Sequence, residues 1–131
     1  MEFNEEQKLE FWDNTNIVDG ENENEVRRDA SGAIIHYSEY KNRDSIYGWE
    51  IDHIYPRALL EAAGVPEALI NNLANLRAMN WQNNVSKGSD YPRYSTVVKA
   101  EGSVNVETSG SRIVNAAKQE ELQELYKDYL R

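Results

Sequence analysis

The sequence predicts an α+β domain, and three observations carry that expectation. Residues 33–37 (AIIHY) and 47–52 (YGWEID) are β-branched and apolar, or alternate large with polar residues, as strands do. PRALLEAAG and VPEALINNL carry Pro near their starts, and Gly64 separates them, which is the punctuation of two brief helices. Leu122, Leu125, Tyr126, Tyr129 and Leu130 fall at the i, i+3, i+4, i+7, i+8 spacing of a single helical face. At 131 residues and 40% hydrophobic content, the chain has the size of one domain and enough apolar mass for a core.

Taken in order, residues 4–13 (NEEQKLEFWD) suit a short helix capped by Asn4, with Leu9 and Trp12 on its apolar side. NTNIVDGENENE is polar and reads as a loop. Residues 33–37 follow Ser31-Gly32 as a strand, 42–44 (NRD) turn the chain, and 47–52 form a second, half-buried strand. Two short helices follow, the first started by Pro56 and stopped by Gly64, the second with Pro66 in its first turn. Leu76 to Met79 is a short strand, and 81–87 (WQNNVSK) a short helix ending at Gly88. Residues 96–108 read as two strands around Glu101-Gly102, and an amphipathic helix is expected from about 112 to 130. Three stretches result: an acidic N-terminal segment (1–25), a central core (26–92), and a β-hairpin with the C-terminal helix (93–131).

Several classes of function are excluded or weakened. There is no cysteine, so disulfides, thiolate zinc sites and thiol nucleophiles are ruled out, and a reducing compartment fits. No apolar run approaches the ~20 residues that span a bilayer, and the acidic start MEFNEEQKLEFW has no signal-peptide core. The expectation is a cytoplasmic protein without a membrane partner. A net charge of −9 argues against nucleic-acid binding, which favours a basic surface. The distribution softens that argument. Residues 1–29 carry ten acidic and three basic residues, whereas residues 30–100 carry seven of each.

The neutral middle holds the informative residues. Asp52 and His53 lie side by side after the second strand, and the chain has only two histidines. Thirty residues later Asn84 and Lys87 stand at i, i+3 on a helix, so both project from one side of it. Strand, long connection, strand and helix would fold back and bring these four together.

The ordered set Asp52-His53-Ile54 with Pro56, Asn75-Leu76, and Asn84 with Lys87 resembles the HNH endonuclease family, above all its small bacterial members. The resemblance covers roughly residues 26–92, including part of Arg28 to Ile34, Tyr47 to Pro56, and Trp81 to Gly88. It implies a ββα-metal fold (the HNH, or His-Me finger, core) and hydrolysis of phosphodiester bonds in nucleic acid, with double-stranded DNA as the expected partner. By the same resemblance His53 is the general base, and Asp52 and Asn84 hold one divalent cation. Asn75 steadies the long connection through side-chain to backbone hydrogen bonds. Lys87 contacts phosphate, as Arg57 and Arg93 would in a basic patch. One charged and one neutral oxygen ligand suit Mg²⁺ or Mn²⁺ better than Zn²⁺, and an unligated neutral imidazole can take a proton from water.

The chain departs from the family in two places. Many members carry a cysteine-ligated zinc, which this chain lacks, and Ser31 stands where relatives often show Cys. The connection between Pro56 and Asn75 carries the segment ALLEAAGVPEALINN in place of a short glycine-containing loop. Other residues read more plainly. His36 is a strand residue; Glu50, two residues before Asp52 and able to share its strand face, reads first as a solvated strand carboxylate; Trp49 and Trp81 are core; and Arg77 belongs either to the basic patch or to scattered surface charge. Asn83 competes with Asn84, and the spacing to Lys87 favours Asn84. The alternatives to an enzyme are a binding module that keeps the fold without the activity, or an adaptor whose acidic N-terminal segment meets a basic protein partner.

Overall fold

The structure, a computed structural model, describes residues 2–130; Met1 and Arg131 lie outside the described residues. Helices and antiparallel strands mix in it, so the α+β class holds. Helix α1 (Glu5–Asp13) starts in a capping box. The Asn4 side chain accepts from the Gln7 backbone N–H at 2.8 Å, and the Gln7 side chain accepts from Asn4 N–H at 3.1 Å. Its buried residues are Phe11 and Trp12, while Leu9 is 46% exposed. The expected Leu9–Trp12 face is therefore rotated: the two aromatic rings offer more apolar area than the leucine and set the helix's orientation.

The first sheet is β1 (Asn16–Ile17), β2 (Val26–Arg28) and β3 (Ile34–His36), antiparallel in that order. Strand β1 lies inside the stretch read as a loop. Its two residues are both exposed, so they present no alternation to detect. The sheet crosses from the acidic N-terminal segment into the central one, and α1 packs its aromatic residues against Ile35, Trp49, Leu76 and Ala78.

The second sheet positions the site. Strands β4 (Trp49–His53) and β5 (Leu76–Asn80) pair antiparallel, with Asp52 opposite Arg77 and Trp49 opposite Asn80. The period of two sends Trp49 and Ile51 toward the aromatic cluster around α1 and sends Asp52 to the opposite face. Helix α4 (Trp81–Lys87) covers that second face, capped by the Asn80 side chain and ended at Gly88 with φ 52°. Gly48, just before β4, is required by a close approach: a Cβ there would lie 2.0 Å from the Asn42 carbonyl oxygen. Helices α2 (Arg57–Ala62) and α3 (Glu67–Ile70) occupy the connection between β4 and β5.

The third sheet is the hairpin β6 (Arg93–Glu101) and β7 (Val104–Ile113), longer at both ends than its sequence suggests. Helix α5 (Ala116–Leu125) consequently starts later than the expected residue 112, because Ile113 pairs with Arg93 and Asn115 caps the helix. Leu122 and Tyr126 close a core with Ile54, Leu60, Val65, Ile70, Met79 and Tyr94, and the Tyr126 hydroxyl donates to Leu69 O at 2.7 Å. No helix among the described residues is long and apolar enough to cross a membrane.

Candidate functional site

The turn from β4 into α2 presents His53, and one asparagine fixes that turn. Asn75 is fully buried; its Oδ1 accepts from Tyr55 N at 2.7 Å, and its Nδ2 donates to Tyr55 O at 3.1 Å and Ile70 O at 3.3 Å. Its backbone carbonyl accepts from Ile54 N at 2.8 Å. Both ends of the connection are thereby tied to the first residue pairs of the β4/β5 ladder.

Asp52 is 4% exposed, and two cations hold it. Arg77 Nε donates to Oδ2 at 3.0 Å, and Lys87 Nζ lies 3.3 Å from Oδ1. Lys87 Nζ also donates to His53 O at 3.1 Å. With 1% of its surface exposed, Lys87 does not face a phosphate-sized space, in contrast to the expectation; its four-carbon stem is long enough to carry the ammonium back under the β4 terminus. Burial lowers its pKa, and the Asp52 charge offsets part of that. Arg77 is likewise no surface charge. Antiparallel pairing sets it opposite Asp52, and its side chain is 16% exposed.

The two asparagines of α4 separate cleanly. Asn83 is fully buried: it donates to Ser31 Oγ at 2.8 Å and Val98 O at 3.0 Å, and accepts from Val97 N at 2.8 Å and Val98 N at 3.1 Å. It fills the irregularity in the β6 ladder between Thr96 and Val98. Ser31 donates to the buried Asp29, which also accepts from Ala33 N and, at 2.6 Å, from Asn80 N. Burial raises the Asp29 pKa. Asn84 instead looks toward β4 and donates to Glu50 Oε1 at 2.9 Å, across 34 positions of sequence. Glu50 also takes two bonds from Arg43, at 2.7 and 3.1 Å, so it belongs to the site and is not a free solvated carboxylate. Its place two residues before Asp52 puts it on the strand face that α4 covers, while its partner Asn84 lies far off in sequence.

Asp52, His53 and Asn84 line one cavity of about 340 Å³ together with Pro56, Arg57 and Gly88. His53 also borders a second cavity of about 690 Å³, shared with Glu50, Arg57, Asn71, Tyr40 and Lys41. His53 Nε2 lies 2.8 Å from Asn71 Oδ1. Arg57 bonds to Glu67 at 2.8 and 2.9 Å, to Glu61 at 3.0 Å and to Asn71 at 3.1 Å, so its charge is met by two carboxylates within the protein. The Arg57 hydrogen bonds hold the Glu67 pKa down to about 2. Arg93 stands apart at the start of β6, exposed, 3.4 Å from Ser111 Oγ and outside both cavity walls.

Asp52 and Asn84 are the residues that could hold a cation in the smaller cavity. Among the described residues no group of three or more His, Asp or Glu side chains forms a ready-made cage. An octahedral ion such as Mg²⁺ does not require one, since it binds through one or two carboxylates and keeps several waters. Each carboxylate oxygen has a second lone pair beyond its contact with Lys87 or Arg77, and the Asn84 Oδ1 accepts from no donor among the described residues. The donor chemistry fits a hard divalent cation, with Lys87 weakening the local attraction. Comparison with protein-family models, curated proteins and solved structures finds no match to this chain.

Proposed function

We propose that the protein is a metal-dependent endonuclease of the HNH type, built on a ββα-metal core made by β4, β5 and α4, that hydrolyses phosphodiester bonds in nucleic acid, with double-stranded DNA as the first substrate to try. The observation that carries the reading is the meeting of Asp52, His53 and Asn84 in one cavity wall, with the Asn75 clasp behind them. In this reading His53 is the general base and takes the proton from the attacking water. Asp52 and Asn84 hold one divalent cation, Mg²⁺ or Mn²⁺ in preference to Zn²⁺, whose chemistry when bound is to offset charge on the phosphate. Lys87 acts from inside, donating to the His53 carbonyl and keeping the end of β4 in place.

One observation favours a second reading, a binding module that retains the fold without cleaving. Both oxygens of Asp52 are already met by cations, and the chain carries a net charge of −9. Nicking of a supercoiled plasmid with Mg²⁺ or Mn²⁺ separates the two. The nuclease reading expects conversion to the open circle that stops with chelator. Intact plasmid at every metal and salt condition, with the protein folded, contradicts it.

A further inference from the structure

We propose that Asn71 is a positioning residue that holds His53 as the Nε2–H tautomer and leaves Nδ1 as its basic nitrogen. The inference rests on the reading of His53 as general base and adds a role for the segment between β4 and β5, which the family resemblance leaves unexplained.

Donors and acceptors around Asn71 decide which nitrogen of His53 carries the hydrogen. Asn71 sits at the end of α3, and three groups meet its amide. Its Nδ2 lies 2.9 Å from Glu67 Oε1, and a carboxylate can only accept, so the amide nitrogen belongs on that side. Its Oδ1 lies 3.1 Å from Arg57 Nη2, and a guanidinium can only donate, so the amide oxygen belongs there. The opposite orientation of the amide would set N–H against guanidinium and oxygen against carboxylate. Arg57 and Glu67 are themselves joined by two hydrogen bonds, so the pair holds the amide from both sides.

The same Oδ1 lies 2.8 Å from His53 Nε2. Facing an oxygen, Nε2 must carry the hydrogen. The neutral ring then has its lone pair on Nδ1, which has no hydrogen-bond partner among the described residues. A general base needs its free nitrogen directed to the reacting water, and a partner on the other nitrogen fixes both tautomer and ring orientation. Here a neutral amide does this, itself held by an ion pair. Arg57, Glu67 and Asn71 all lie in the connection between β4 and β5, so that connection supplies the device that aims His53.

Two-bond ¹H–¹⁵N correlation spectra of the full chain test it, recorded where the imidazoles are neutral, with His36→Phe assigning the two rings. The expected spectrum shows His53 as a single Nε2–H tautomer with a hydrogen-bonded, observable Hε2 proton. Asn71→Ala should lose that proton signal to exchange and mix the tautomers. Asn71→Asp combined with Glu67→Gln keeps an acceptor oxygen for His53 and puts a donor amide where the carboxylate stood, so it should retain the signal. In cleavage assays Asn71→Ala should lower kcat by about 10–100-fold, the scale for loss of a residue that orients a functional histidine, with KM little changed, and the Asn71→Asp/Glu67→Gln pair should restore most of it. A proton on Nδ1 in the unaltered protein, or an unchanged Hε2 signal in Asn71→Ala, overturns the proposal. Absence of cleavage by the unaltered protein beside the expected spectrum overturns the nuclease reading and leaves the tautomer assignment standing.

Discussion

Asn83 and Asn84 are neighbours on one short helix, and they sit in two differently built regions. Behind α4, Asn83 joins Ser31, Asp29 and Asn80 in a buried polar clasp in which each side chain is hydrogen-bonded. In front of α4, Asn84, Asp52 and His53 line open space, Glu50 bonds to Asn84 beside it, and donor or acceptor capacity remains on Asn84 and His53. The clasp ties the first sheet, α4 and the β6 hairpin into one body. The front region keeps unspent capacity at Asn84 Oδ1 and His53 Nδ1. Saturation of polar groups, more than their number, thus separates the residues that hold the fold from those available to a ligand.

The largest expected effect is on stability at Asn83. Asn83→Ala strands the buried Val98 N–H and carbonyl and the part-buried Val97 N–H; at ~1–3 kcal/mol for each buried group left unpaired, the loss should be about 3 kcal/mol. Asn84→Ala should stay within ~0.5 kcal/mol, as ordinary partly exposed substitutions do. Urea unfolding of the two variants measures the contrast, and equal midpoints would erase it.

Asn75 sharpens the comparison because it belongs to both regions, buried like the clasp yet adjacent to His53. Asn75→Ala should cost about 2 kcal/mol through the unpaired Tyr55 N–H and carbonyl. It should also slow cleavage even where the variant remains folded. Unfolding and cleavage measured at the same low temperature separate the two effects, and loss of stability with an unchanged rate would confine Asn75 to the fold.

The smallest effect concerns His36, which does not line the front cavity. Its ring stacks on Tyr47 at 4.0 Å, and burial lowers its pKa below 6.5. The unfolded chain therefore takes up this proton first. The sign is a loss of stability as pH falls below about 6.5, continuing until the folded protein also protonates, and no contribution from this group above that. His36→Phe should flatten that part of the curve of urea midpoint against pH; an unchanged slope would contradict it.

Much of this was legible in the sequence. The order strand, connection, strand, helix follows from the period of two in 47–52, the Pro and Gly punctuation, and Gly88. The i, i+3 spacing with Lys87 selects Asn84 as the residue that faces β4. What escaped did so for physical reasons. Strand β1 is two exposed residues without a pattern. Lys87 reads as a phosphate contact and Arg77 as a phosphate contact or surface charge, since nothing local says that a long cationic side chain will be drawn under a strand end by a buried carboxylate. Glu50 and Asn71 acquire their roles from partners 34 and 18 positions away, separations that no local periodicity encodes.

The most direct test of the front region as a catalytic site is the cleavage rate of His53→Ala against the unaltered protein at matched Mn²⁺, with metal affinity followed by calorimetry. The account predicts a fall of about 10²–10⁴-fold, the range for losing a general base, with metal binding retained through Asp52 and Asn84. Equal rates, or metal binding lost in His53→Ala while Asp52→Ala binds normally, would contradict it.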